Sequence, residues 1–300
     1  EVLAGETPTS RALRAPLEPG SPPALRGEGI SIRGASRHHL QLDLQLPSAG
    51  FVAVSGVSGS GKSTLVFEVL GASALAGHAV GCAEATGLER FAEVRSARAP
   101  LGAQEVLGAL DLLPAFQALF HAQGSDLPKR AFSFRSPAGR CPTCQGSGRE
   151  RIALEVLADL DLPCPDCEGA RYRPEVLEVL WQGLSPDDVM ELPTEELGAL
   201  LPAGKLKRGV EALERAGLGH LSLGRRTREL SGGEAQRLLL AASVLGAKSP
   251  TLYLLDEPAR GLHEADLARL CDLLRELSAR GDLIVATVQR LSLIRAAHHV

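Results

Sequence analysis

The segment Gly56-Val-Ser-Gly-Ser-Gly-Lys-Ser-Thr64 constrains this chain more than any other stretch. It fits G-x-x-x-x-G-K-[ST], it follows the continuous apolar run FVAVS (51–55), and it precedes a stretch that reads as helix from Ser63 to about Leu75. A strand feeding a glycine-rich turn and then a helix start concentrates backbone N–H groups at one point, where they attract phosphate. Gly56, Gly59 and Gly61 allow that convergence, Lys62 supplies charge for β- and γ-phosphates, and the Ser63 hydroxyl suits Mg²⁺. Ser58, Ser60 and Thr64 complete the expected nucleotide-binding loop. The alternative is an ordinary Gly/Ser turn that happens to carry a lysine, and the flanking strand and helix argue against it.

A phosphate loop needs a sheet behind it, and the rest of the chain reads accordingly. GISIRG and the alternating leucines of 40–46 are expected strands. TLYLLDE and DLIVATV read as buried strands, EAQRLLLAASVLGA and 264–280 as helices, and the chain is expected to end in a helix. Residues 84–125 read as mostly helical, 175–183 (EVLEVLWQG) as a strand, and 185–216 as several short helices. Strands alternating with helices predict an α/β fold around a mostly parallel sheet. The expected organisation is a Pro-rich linker over 1–28, ATPase segments over 29–125 and 230–300, and an inserted segment over 126–229.

Composition removes whole classes of function. With 44% apolar and 23% charged residues the chain is not disordered throughout, and its net charge of −4 gives no global basic field. No apolar run reaches the ~18–20 residues of a membrane helix, and no basic-then-apolar leader opens the sequence. A cytoplasmic protein is expected. The chain opens on Glu1 rather than Met and is expected to be part of a longer polypeptide.

TLYLLDEP ends an apolar run in two carboxylates: Asp256 is placed to hold Mg²⁺ and Glu257 to polarise a water. Upstream, LSGGEAQR sets Ser231, Gly232 and Gly233 before a helix, a second anion-binding helix start. In this order the three motifs resemble the ATP-binding-cassette (ABC) ATPases. That resemblance implies that Ser231, Gly232 and Gly233 face the γ-phosphate held by another cassette, so that one cassette is half of two sites.

Cys141-Pro-Thr-Cys144 and Cys164-Pro-Asp-Cys167 stand 19 residues apart, the spacing of a four-thiolate zinc site. The alternatives are a redox dithiol or chance, and a redox motif needs only one pair. Cys82 and Cys271 sit in apolar surroundings and read as buried small hydrophobes. Lys129, Arg130, Arg140, Arg149 and Arg151, with Arg135, give residues 126–151 a charge of +4. This patch reads either as a phosphate-contacting surface for DNA or as a solvated basic face.

Together GVSGSGKSTL, FSFRSPAGRCPTCQGSG, LPCPDCEGARYRPEVLEV, AGLGHLSLG, LSGGEAQR and LYLLDEPARGLH resemble the UvrA family of the ABC excinuclease system over most of residues 29–300, specifically its second cassette. The resemblance implies an ABC-type ATPase carrying an inserted, mostly helical zinc-binding signature domain, with ATP, magnesium and zinc as cofactors. It implies damaged duplex DNA, a second cassette and other excision-repair subunits as partners, and no membrane. Three departures stand out. Gln289 occupies the place of a family histidine that contacts the γ-phosphate, which makes it a catalytic candidate beside Glu257; Arg95 stands at the family's glutamine-loop position; and Ala259 and Arg260 replace two threonines. The expected function is DNA-damage recognition in nucleotide excision repair or resistance to DNA-binding drugs. Two alternatives are a nucleotide-gated DNA-binding scaffold with little hydrolysis and an ABC transporter ATPase component.

Overall fold

The computed structural model describes residues 29–97, 102, 104–152, 160–246 and 248–300. The expected linker, 1–28, lies outside them. The chain divides into two units, one holding 29–102, 212–218 and 228–300, the other 103–211 and 219–227.

The first unit is built on four parallel strands: β3 (Gly50–Val54), β5 (Glu93–Ser96), β8 (Thr251–Asp256) and β9 (Leu283–Thr287), in the order β3-β9-β8-β5. Strands β8 and β9 are apolar without alternation because both faces are covered, and Leu252 to Leu255 and Leu283 to Ala286 are all buried. An antiparallel sheet, β2-β1-β4, joins β1 (Ile30–Ala35), β2 (Leu42–Leu46) and β4 (Glu84–Thr86). Helix α1 leaves the phosphate loop in wide π-type turns over Thr64–Gly71 and finishes as α-helix over Ala72–Ala76. Its Val66, Val69 and Leu70 pack with Ile30 and Ile32 of β1, Leu252 and Leu254 of β8 and Val285 of β9 in one core. Gly71 lets that helix approach β8, since a Cβ there would lie 2.7 Å from the Leu254 Cδ1.

Two sequence expectations fail in this unit. The leucines of 40–46 do not all turn inward. Leu40 and Leu46 are buried but Leu42 is 37% exposed, because the β1–β2 register shifts between Ile32 and Ala35 and an irregular register changes which face a side chain takes. The span 84–125 is not mostly helical in its first part. β4 and β5 lie there, short strands whose partners are far off in sequence.

The second unit holds α2 (Val106–Ala109), α3 (Leu113–His121), β6 (Arg149–Ile152), β7 (Leu160–Pro163), α4 (Pro174–Leu177), α5 (Pro186–Glu191) and α6 (Thr194–Leu200). Phe116, Phe120 and Phe132, all buried, pack in series, the first pair tilted at 5.1 Å and the second stacked at 5.8 Å. Ser185 and Asp188 form a reciprocal capping box that starts α5. The expected strand at 175–183 is instead the short helix α4 followed by a tight turn. Trp181 and Leu184 exchange two N–H···O bonds of 2.9 Å, and Gln182 and Gly183 between them have φ of 50° and 83°. Gln-Gly thus plays the part that Asn-Gly commonly plays in a two-residue hairpin turn.

The chain continues through α7 (Lys205–Arg215), α8 (Gly232–Gly246), α9 (Glu264–Ala279) and α10 (Leu291–Ala296). Helices α8 to α10 lie in the first unit. Among the described residues no helix is long and apolar enough to cross a membrane.

Candidate functional site

The C-terminal ends of β3, β8 and β9 open into a cavity of about 340 Å³. Its walls are Ser58 to Thr64 from the loop, Asp256 and Glu257 from the end of β8, Thr287 and Gln289 from the end of β9, and His39. Crevices at the C-terminal edge of a parallel sheet are where such folds bind ligands. Gly61 has φ of 89°, and a Cβ there would meet Leu40 Cδ1 at 2.5 Å and His39 Nε2 at 3.3 Å. The turn joining β1 to β2 therefore lies directly on the loop. The Lys62 ammonium donates to the carbonyls of Gly56 and Val57 at 2.8 and 2.7 Å.

The two carboxylates at the end of β8 are held differently. Asp256 is gripped through its main chain by Gln236 of α8: the Asp256 N–H donates to Gln236 Oε1 at 2.9 Å, and Gln236 Nε2 donates to the Asp256 carbonyl at 2.7 Å. The register with β5 stops at Leu254, so the amide takes over the strand edge that β5 leaves. On the β9 side the Thr287 hydroxyl donates to Asp256 Oδ1 at 2.7 Å. Glu257 has a left-handed backbone, φ 50°, and its N–H reaches both the Thr287 carbonyl (3.1 Å) and hydroxyl (3.2 Å). Its Oε2 accepts from the Gln289 backbone N–H at 3.3 Å, while Oε1 is buried and has no hydrogen-bond partner among the described residues. Burial pushes the Glu257 carboxyl above its ordinary range; Asp256 adds to this, and the Gln289 amide, Lys62 and Arg260 oppose it. A carboxyl raised above its ordinary range at the wall of a cavity is suited to accept a proton.

Ser231, Gly232 and Gly233 stand at the exposed start of α8. There the Ser231 hydroxyl accepts from the Glu234 N–H at 3.3 Å, and Glu234 Oε2 accepts from the Ser231 N–H at 2.8 Å, a second capping box. Arg95 is absent from the walls of the cavity. It lies on β5, chelates Glu93 at 2.9 and 3.2 Å and donates to Ser243 of α8 at 3.2 Å, so its guanidinium is engaged away from the cavity.

In the second unit the Sγ atoms of Cys141, Cys144, Cys164 and Cys167 all lie within 4.8 Å of one another, with Cys141–Cys164 at 4.0 Å and Cys144–Cys167 at 3.6 Å. Four thiolates about 2.3 Å from one zinc ion would stand roughly 3.8 Å apart, so the cluster is compatible with zinc. The β6–β7 ribbon joins the two pairs, and the Cys164 N–H donates to the Gly148 carbonyl at 3.0 Å. Burial pushes the Cys167 thiol up to about 12. Burial also acts on Cys144, but the amides of Gly148 and Gly146 outweigh it and hold that thiol at about 7. A cluster of this kind cannot ionise throughout without a cation to neutralise it. Cys271 is buried among leucines as expected, whereas Cys82 is half-buried.

The basic residues sit on three segments of that unit. Lys129 and Arg130 are exposed in a 3₁₀ turn, Arg140 is half-buried where it bridges to Tyr172, and Arg149 is exposed at the start of β6 with Arg151 two residues on. Sequence reasoning missed His39, Thr287 and Gln236. No local pattern marks His39 or Thr287, and Gln236 was visible only as part of the LSGGEAQR string.

No family model matches the chain. Over 291 residues, 91% of its length, it is 37% identical to UvrABC system protein A of Bacillus subtilis, and over 293 residues it is 34% identical to that of Micrococcus luteus. It spans 30% and 29% of those proteins' own length. Among solved structures it resembles UvrA2 from Deinococcus radiodurans, with a TM-score of 0.82 and 32% identity over 98% of this chain and 38% of that one.

Proposed function

This chain is a relative of UvrA that spans about 30% of the length of the proteins it matches, and from that premise we propose that it is an ATP-binding, zinc-holding cassette of the UvrA type, the second of such a protein. It serves DNA-damage recognition in excision repair or resistance to DNA-binding drugs, in the cytoplasm, paired with a second cassette and in contact with other excision-repair subunits. The first unit carries the nucleotide chemistry, and the inserted segment 126–229 carries the zinc and the DNA contact.

The observation that carries the reading is the shared cavity of the phosphate loop, Asp256 and Glu257. The N–H groups of Gly59, Ser60, Gly61 and Lys62 and the Lys62 ammonium would bind the phosphates, and Ser63 and Asp256 would hold Mg²⁺, which when bound neutralises charge on the phosphates. Glu257, at the cavity wall, would take the proton of the attacking water on its carboxylate, while the Gln289 backbone N–H holds Oε2. Four thiolates would close the zinc coordination and leave no open position, so the metal's role is structural.

ATP turnover by the complete protein, measured with and without damaged duplex, tests this. Turnover that depends on Lys62 and responds to damaged DNA is expected, and a chain that binds no nucleotide overturns it. A second reading, a nucleotide-gated DNA-binding scaffold with little hydrolysis, is favoured by Gln289. Its side chain can donate a hydrogen bond to a γ-phosphate but cannot carry a proton or charge. A transporter role is disfavoured by the cysteine cluster standing between phosphate loop and signature helix.

A further inference from the structure

We propose that Thr287 is a positioning residue for the divalent cation, orienting Asp256 so that one defined carboxylate oxygen faces the metal. The proposal rests on the reading of Asp256 as a metal ligand. Three observations carry it. The Thr287 side chain is buried at 1% exposure and yet lines the nucleotide cavity. Its hydroxyl donates to Asp256 Oδ1 at 2.7 Å. The hydroxyl oxygen itself accepts the Glu257 N–H at 3.2 Å.

A hydroxyl has one proton to give and two lone pairs to offer. With a lone pair engaged by the Glu257 amide, its proton is directed at Asp256, and β-branching restricts the side chain's χ1 in the strand. Oδ1 thereby has one lone pair engaged from the protein side, while Oδ2, to which no described residue donates, is the oxygen better placed to offer lone pairs to a cation. A carboxylate that would otherwise rotate about its terminal bond is held as a ligand of fixed orientation. Groups that hydrogen-bond a metal-ligating carboxylate act in this way, by setting the ligand before the ion arrives.

The test is Mn²⁺ binding to the chain carrying a non-hydrolysable ATP analogue, followed by electron paramagnetic resonance, with nucleotide affinity measured separately in EDTA. Thr287→Val keeps the shape and strand preference of threonine and removes only the hydroxyl. It is expected to weaken Mn²⁺ binding by about tenfold, the lower end of what the loss of such a partner costs, and to leave metal-free nucleotide affinity unchanged. Thr287→Ser, which retains the hydroxyl, is expected to recover most of the Mn²⁺ affinity. A merely structural role would move metal-free binding too and would not be rescued by serine. Wild-type Mn²⁺ affinity in Thr287→Val, alongside a clear loss in Asp256→Ala, overturns the proposal and leaves the site reading intact. No nucleotide-dependent Mn²⁺ site in the wild-type chain overturns both.

Discussion

Replacing Gln236 by leucine isolates the contact by which the signature helix grips the strand that ends in the acidic pair. The side chain is 7% exposed and makes two hydrogen bonds of 2.9 and 2.7 Å to the main chain of Asp256. Each such bond contributes about 0.5–1.5 kcal/mol net, and a buried main-chain group left without a partner costs roughly 1–3 kcal/mol. Asp256 is half-buried, so water recovers part of that loss, and the added apolar surface of leucine offsets about 1 kcal/mol more. The expected destabilisation is about 2–3 kcal/mol. For a unit of this size that corresponds to a fall in Tm of roughly 5–10 °C. Scanning calorimetry measures it, and the transition belonging to the first unit is the one that Mg-ATP shifts upward. A loss below about 1 kcal/mol would refute the argument that the amide substitutes for a missing strand partner.

The other predictions concern metal, DNA and chemistry. Purified protein should hold about one zinc per chain, and serine at both Cys141 and Cys164 should remove it and expose residues 141–171 to protease, as metal analysis and limited proteolysis will show. Alanine at Arg140, Arg149 and Arg151 should weaken DNA binding alike across sequences and reduce its salt slope by about one unit per lost phosphate contact; an unchanged slope in a binding titration moves the interface elsewhere. Turnover should be slow, by ~10²–10³ against an enzyme with a complete γ-phosphate contact; it should rise in Gln289→His, vanish in Glu257→Gln, and nucleotide binding should vanish in Lys62→Ala. A base must be ionised to act. Because burial raises the Glu257 carboxyl above its ordinary 4.5, the pH–rate profile should therefore climb with rising pH at a midpoint above that value.

What could be read from the sequence was what is encoded locally. The phosphate loop, the strand Thr251–Asp256 and the two cysteine pairs each announce themselves within a few residues, because strand, turn and chelate are short-range geometries. Residues 175–183 misled because Val176, Val179 and Leu180 suit a strand as well as a helix, and the deciding features were Pro174 at the helix start and the Gln182-Gly183 turn. Arg95 could not be placed from its motif for another reason. A position matched to a family loop fell on strand β5, where Glu93 and Ser243 claim the guanidinium. Thr287, Gln236 and His39 act across 31, 20 and 22 residues of chain, on Asp256 in the first two cases and on Gly61 in the third. Contacts of that range exist only once the sheet has assembled.

The left-handed backbone of Glu257 has a consequence for anyone engineering this protein. A residue with a Cβ costs about 1–2 kcal/mol in that conformation, and glycine does not. A library screened for thermal tolerance alone would therefore drift toward glycine at 257 and would deliver a sturdier cassette with no proton acceptor. Heat resistance and turnover pull in opposite directions at this one codon. A thermostabilisation campaign that leaves the chemistry intact has to hold it fixed while it searches everywhere else.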